Sequence, residues 1–186
     1  MKLLVGLGNP GELYTNNRHN VGFHFLDYVI SHIDMHFPDK LRRENSFERS
    51  VKLRAKLCHL LEEILLAKPQ TYMNLSGVAV RKIQQFYKIQ TSDIFIAHDD
   101  LDIPFGNFKI QQGKGPKVHN GLFSIEQTTA TNAFWRIRIG VENRGAENRI
   151  SGHDYVLSNF TNEETKQLPT VFEKIMVQLE ERKIMN

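Results

Sequence analysis

Cysteine is almost missing from this chain. Cys58 is the only one in 186 residues, which excludes an intramolecular disulfide and leaves a buried apolar core to hold the fold. No apolar run is long enough to span a bilayer and no signal-peptide pattern is present, so the chain is expected to be soluble and cytoplasmic. No Cys/His tract has the spacing of a zinc site, and no Gly-x-Ser-x-Gly elbow announces a serine nucleophile. A dominant charge is lacking too, with 24 Lys and Arg against 21 Asp and Glu. The distribution of that charge is more telling than its sum. Residues 40–56 carry Lys40, Arg42, Arg43, Arg49, Lys52, Arg54 and Lys56 against Glu44 and Glu48. Residues 104–153 carry Lys109, Lys114, Lys117, Arg136, Arg138, Arg144 and Arg149 against Glu126, Glu142 and Glu147. Two basic segments on a nearly neutral chain suit a polyanionic partner, although ordinary solvated charge explains them equally well.

What the chain does have begins at its N-terminus. The apolar run Leu3-Leu4-Val5 breaks into Gly6-Leu7-Gly8-Asn9-Pro10-Gly11, the pattern of a buried strand delivering its end to a crevice. Gly6-x-Gly8-x-x-Gly11 is also a dinucleotide fingerprint, in which a helix should start inside the motif. Here Pro10 and Thr15-Asn16-Asn17 prolong the loop. The apolar spacing of Val21, Phe25, Leu26, Val29, Ile30 and Ile33 places the helix after His19, over about 20–33, and Asp34 falls at a helix end. A catalytic turn therefore fits best, a purely structural tight turn next, and a nucleotide loop least.

Further along, residues 35–45 read as a loop with Pro38. Residues 50–55 alternate as a strand, and 64–67 form a second, more buried one leading into the polar turn around Asn74. A helix follows with Val80, Ile83, Phe86 and Tyr87 on one face. The strand 93–97 ends in His98-Asp99-Asp100-Leu101-Asp102. Three strands thus finish in polar turns holding Asn9, Asn74 and Asp99, and parallel neighbours would gather those turns into one crevice. Residues 108–111 suit an edge strand, 112–121 a glycine-rich basic loop before another helix, and 136–141 a strand with Arg136 and Arg138 on one face. Residues 142–152 read as a polar loop. Thr161 and Glu164 match a capping box for a last helix carrying Val171, Ile175, Met176 and Leu179. No linker or repeat interrupts this α/β pattern, so one domain over 1–186 is expected.

The chemistry follows from these turns. A histidine bonded to a carboxylate is fixed in one tautomer and stabilised when charged, so His19 and Asp99 suit a general base that activates water. Asn9, Asn74 and Asn120 each offer a donor and an acceptor for an amide-bearing substrate or an oxyanion, but asparagine is common in turns for local reasons as well. Asp99, Asp100 and Asp102 invite a magnesium reading, which lacks a second acidic cluster.

Taken together, Val-Gly-Leu-Gly-Asn-Pro-Gly at 5–11, Tyr14, Arg18-His19-Asn20, Pro69-x-Thr71-Tyr72-Met73-Asn74-x-Ser76-Gly77, His98-Asp99-x-Leu101-Asp102, His119-Asn120-Gly121 and Arg136-Ile137-Arg138-Ile139-Gly140 strongly resemble the bacterial peptidyl-tRNA hydrolases. The resemblance implies a single α/β domain with a twisted mixed β-sheet flanked by helices. It implies hydrolysis of the ester joining a peptide to the terminal ribose of tRNA, by a monomer without metal, cofactor or obligate protein partner. By position it makes His19 the base, Asp99 its support and Asn9 the residue that tells N-blocked from free aminoacyl-tRNA. Tyr14, Tyr72, Asn74 and Asn120 match substrate or tRNA-end positions, Met73 a wall of the peptide site, and Lys109 and Arg138 residues that meet tRNA phosphates. Two stretches depart from the family pattern. Lys114-Gly115-Pro116-Lys117-Val118 stands where a run of glycines is expected, and Val141-Glu142-Asn143-Arg144-Gly145 replaces a glycine-containing turn. Pro116 and Val118 should stiffen the loop carrying Asn120, while Lys114 and Lys117 add contacts for phosphate. An alternative that follows from this loop is a tRNA-binding protein that has lost catalysis.

Overall fold

The computed structural model describes residues 1–36, 46–60, 63–145, 147 and 149–184. Among them the elements run β1 (Lys2–Gly6), α1 (Val21–His36), β2 (Glu48–Ser50), β3 (Ala55–Leu60), β4 (Ile64–Pro69), α2 (Ser76–Tyr87), β5 (Ile94–Pro104), β6 (Phe108–Gln112), α3 (Asn120–Thr129), β7 (Trp135–Glu142), α4 (Gly152–Leu157) and α5 (Asn162–Glu181). The strands form one mixed sheet in the order β2-β3-β4-β1-β5-β7-β6. Its centre is parallel, β4 with β1, β1 with β5 and β5 with β7, and the outer strands β3, β2 and β6 run antiparallel. The central strands are apolar on both sides because helices cover both faces. Leu4, Phe95, Ala97 and Ile137 pack against Phe25, Leu26, Phe172 and Ile175 of α1 and α5. Leu3, Val5, Ile94 and Ile96 pack against Val80 and Ile83 of α2 and Leu122 and Ile125 of α3.

Two local signals in the sequence are realised as written. The Thr161 side chain accepts from the Glu164 amide and the Glu164 carboxylate accepts from the Thr161 amide, closing the capping box of α5. The edge strand at 108–111 is β6.

Other boundaries move. The alternating stretch 50–55 is not one strand: Ser50 ends β2, Ala55 begins β3, and 51–54 form the hairpin turn between them, where Arg54 adopts a left-handed φ of 54°. β5 does not stop at Ala97 but continues to Pro104, held by β7 residue by residue up to Asp100 opposite Gly140. In α2 Phe86 points to solvent while Val80 and Ile83 are buried. The polar segment after β7 leads into the short helix α4, which begins at the last residue of the expected loop. Helix α1 extends to His36. The remainder of the expected loop to Asn45, with Pro38, Lys40, Arg42, Arg43 and Glu44, lies outside the described residues.

One close approach sets where α1 begins. A Cβ on Gly22 would lie 2.4 Å from the carbonyl oxygen of Ala97 and 2.5 Å from the amide nitrogen of Leu7. Only glycine lets the first turn of α1 rest directly on the ends of β1 and β5. This seat brings His19, three residues earlier, over β5.

Candidate active site

His19 lies in a single 3-10 turn, Arg18–Asn20, immediately before α1. Its Nδ1 is 2.8 Å from Oδ1 of Asp99 on β5, and both residues are buried. The carboxylate accepts, so Nδ1 carries the proton and Nε2 is left with the lone pair that a water could donate to. Burial works against charging this imidazole, but the Asp99 charge and hydrogen bond outweigh it and raise the His19 pKa above its ordinary value. Burial alone would raise Asp99. The positive field of His19 and the hydrogen bonds from His19 and His119 instead hold its carboxyl far below the usual carboxylate range.

His119 is a partner that the sequence reading quoted in a motif without assigning it a role. Its Nδ1 accepts from the amides of Gly121 and Leu122 at 3.1 and 3.3 Å, capping α3. The proton must then sit on Nε2, which donates to the same Oδ1 of Asp99 at 3.1 Å. Histidine is not a usual N-cap, so helix-start rules gave no warning. Behind it His98 is fully buried, donates from Nδ1 to its neighbour's carbonyl at 2.7 Å, and meets the His119 ring edge to face at 4.9 Å. Burial pushes the His98 imidazole well below its ordinary pKa and keeps it neutral.

His19, Asp99 and His119 place potential ligand atoms within 4.8 Å of one another. The hydrogen-bond pattern nevertheless directs ring protons, not lone pairs, at the shared carboxylate. The Asp99-Asp100-Asp102 reading dissolves for a different reason. Successive strand residues face opposite sides of the sheet, and Asp100 spends one oxygen on Arg138 Nε at 2.7 Å and the other on the Asp102 amide at 2.8 Å.

Asn9 is held apart from the pair but rigidly. Asn20 accepts from its amide at 2.8 Å and donates to its carbonyl at 3.0 Å, while Asn9 Oδ1 accepts from the Met73 amide at 2.8 Å. The side-chain NH2 of Asn9 is thereby the group left to offer. Asn20 was not singled out from the sequence. Met73 is buried, and Asn74 stands exposed beside it in the turn Met73–Leu75. Tyr14 and Tyr72 form an edge-to-face pair with centroids 6.4 Å apart.

A cavity of about 190 Å³ opens over His19 and Asp99 and is completed by Leu101, Val118, His119, Asn120, Gly152, His153 and Val156. Among the described residues, no serine, threonine or cysteine lines it. Asn120 is thus brought to the pair, whereas Tyr14, Tyr72, Met73, Asn74, Lys109 and Arg138 do not line this cavity. Asn9 and Asn20 line a second one of about 350 Å³ with Phe23, His24, Lys68 and Gln70. Lys109 is exposed on β6 directly opposite Arg138 on β7, whose guanidinium is already engaged by Asp100 and, at 2.8 Å, by Gln111 Oε1. The loop 114–118 accommodates Pro116 and Val118 without strain, since Gly113 is its neighbour at positive φ and none of 114–118 adopts one.

Fold and site together define a class, an α/β enzyme of the hydrolytic kind, with a histidine supported by a carboxylate from the parallel strand β5 and, among the described residues, no protein nucleophile lining its cavity. The comparisons narrow this to one family. Residues 3–183 match the family model described as Peptidyl-tRNA hydrolase. The chain is 42% identical over 168 residues to the peptidyl-tRNA hydrolase of Sulfurihydrogenibium sp., covering 88% of this chain and 81% of that one. It is 42% identical over 173 residues to that of Helicobacter pylori, covering 93% and 83%. Among solved structures, the peptidyl-tRNA hydrolase of Acinetobacter baumannii superposes with a TM-score of 0.77 at 31% identity, over 100% of this chain and 93% of that one. A peptidyl-tRNA hydrolase complexed with N-propanol gives the same TM-score, 0.77, at 30% identity. The chain belongs to the peptidyl-tRNA hydrolase family.

Proposed function

We propose that this protein hydrolyses the ester between a peptide and the terminal ribose of tRNA, releasing the peptide and returning free tRNA. The observation that carries the mechanism is the His19 Nδ1 to Asp99 Oδ1 hydrogen bond, which leaves Nε2 as the base. Water gives a proton to Nε2 as its oxygen attacks the acyl carbonyl. The bond to the ribose oxygen then breaks, that oxygen takes the proton back from the imidazolium, and the carboxylic acid so formed loses its remaining proton to solvent and leaves as carboxylate. Asp99 orients the ring and stabilises its charged form, and His119 fixes Asp99 from the other side. Asn120, at the mouth of the cavity, is placed to donate to the developing oxyanion.

Asn9 supplies the discrimination. With Oδ1 committed to Met73, only its NH2 can meet substrate, and a donor suits the carbonyl of an N-blocked acyl group and repels a free ammonium. Tyr14, Tyr72, Met73 and Asn74 surround the tRNA end and the peptide. Lys109, with the residual field of Arg138, meets phosphate. The reading needs no cofactor or metal, and the protein works in the cytoplasm as a monomeric, single-domain enzyme; among the described residues no helix is long and apolar enough to cross a membrane. The test compares N-acetyl-aminoacyl-tRNA with unblocked aminoacyl-tRNA. Release of N-acetyl amino acid with the free form spared is the expected outcome, and tRNA binding without cleavage overturns the proposal.

A further inference from the structure

Val118 is 84% exposed, yet it lines the same small cavity as His19 and Asp99. A bare valine in water at the lip of a polar site gains nothing until something apolar covers it. The loop that carries it is firmly seated. Gly115 lies against Arg136 so closely that a Cβ there would be 2.2 Å from Nη1, and Arg136 is itself buried, bonded to Glu126 at 2.6 Å and stacked on Phe134. Two residues on, the Lys117 amide reaches Asp102 Oδ2 at 3.4 Å. Val118 is therefore presented in place, and it shares the lining of the cavity with Leu101 and Val156. Leu101 also closes on Gly152, its Cδ1 being 3.0 Å from where a Cβ would stand.

The size of the space limits its occupant. About 190 Å³ is below the roughly 300 Å³ at which sites for drug-sized ligands begin, so the cavity suits one side chain rather than a whole nucleoside. Resting on the hydrolase reading, the carbonyl attacked beside His19 carries its own Cα one bond away, and the side chain on that Cα is the nearest group able to enter. We propose that Val118, Leu101 and Val156 form an apolar subsite for the side chain of the amino acid esterified to the tRNA. The enzyme accordingly favours N-blocked aliphatic aminoacyl-tRNAs over those ending in glycine or aspartate. Glycine leaves the apolar walls uncovered, and aspartate would have to bury a carboxylate among them.

The experiment measures kcat/KM for N-acetyl-valyl, N-acetyl-glycyl and N-acetyl-aspartyl esters carried on one and the same tRNA. The valyl substrate is expected to exceed the other two by about tenfold, at the low end for small changes in a hydrophobic pocket. Val118→Thr keeps the volume and β-branching, and hence the loop's stiffness, while replacing a methyl by a hydroxyl. It should cut the ratio to about threefold or less, and Val118→Gly should cut it at least as far. Equal rates on all three substrates, or an undiminished ratio in Val118→Thr, overturn the subsite alone. Failure to cleave any blocked substrate overturns the hydrolase reading beneath it.

Discussion

Arg18 and Glu164, 146 positions apart in sequence, meet in a buried ion pair of 2.5 Å one residue before His19. Glu164 is also the capping-box residue of α5 and accepts from Asn143 at 3.0 Å, while the Arg18 guanidinium lies 4.3 Å above the Tyr155 ring of α4 and bonds Ser158 at 2.8 Å. The backbone holding His19 is thereby fastened to the helix that contributes Gly152, His153 and Val156 to the cavity.

Breaking this pair on one side leaves a buried charge without its partner. Glu164→Ala should therefore cost about 3–5 kcal/mol of stability, read from urea unfolding. Replacing both partners, as in Arg18→Met with Glu164→Leu, should recover much of that loss, because no charge is left stranded. A Glu164→Ala variant as stable as the parent would contradict this assignment.

In the proposed mechanism Asn20 acts through Asn9, whose backbone it holds. Asn20→Ala removes both bonds that fix the Asn9 backbone and should lower kcat/KM on N-acetyl-aminoacyl-tRNA by about tenfold, equivalent to ~1.4 kcal/mol. Asn20→Asp keeps the acceptor for the Asn9 amide and loses the donor, so its loss should be smaller. Equal kinetics for parent and Asn20→Ala would remove Asn20 from the account.

With water activated as proposed, the acid limb of the pH profile belongs to His19. Its pKa is raised, and only the neutral ring can take a proton from water, so kcat/KM should climb through a midpoint above 6.5. Asp99→Asn removes the charge that raises it and leaves burial, which lowers it; the limb should move to lower pH while the rate falls. Stability responds with opposite signs. The His19 contribution is complete below 6.5 and lost as pH rises through its folded value, whereas that of Asp99 is present above about 3.9 and lost as pH falls toward its depressed one. His98, held neutral in the fold, costs stability as pH drops below 6.5, because the unfolded chain takes up a proton that the folded one refuses. An acid limb that stays in place in Asp99→Asn would contradict the pairing.

Much of this site was readable because it is written locally. Asn9 and His19 follow an apolar run that can only be a buried strand, and the capping box of α5 is complete within four residues. The parts that were not readable depend on distant partners. Residues 50–55 alternate like a strand, yet Arg54 turns there because β3 pairs back onto β2. Asp99 was expected in a turn, but pairing with β7 carries the strand through it. His119 looked like one member of a motif until its ring nitrogens were seen divided between α3 and Asp99. Nothing near Arg18 in the sequence points to Glu164.

The most direct measurement is single-turnover hydrolysis of N-acetyl-aminoacyl-tRNA by the parent and by His19→Ala, with unfolding curves confirming that both are folded. Loss of the base should slow the chemical step by about 10²-fold or more, with tRNA binding retained. A folded His19→Ala variant that turns over at the parent rate would show that some other group activates the water.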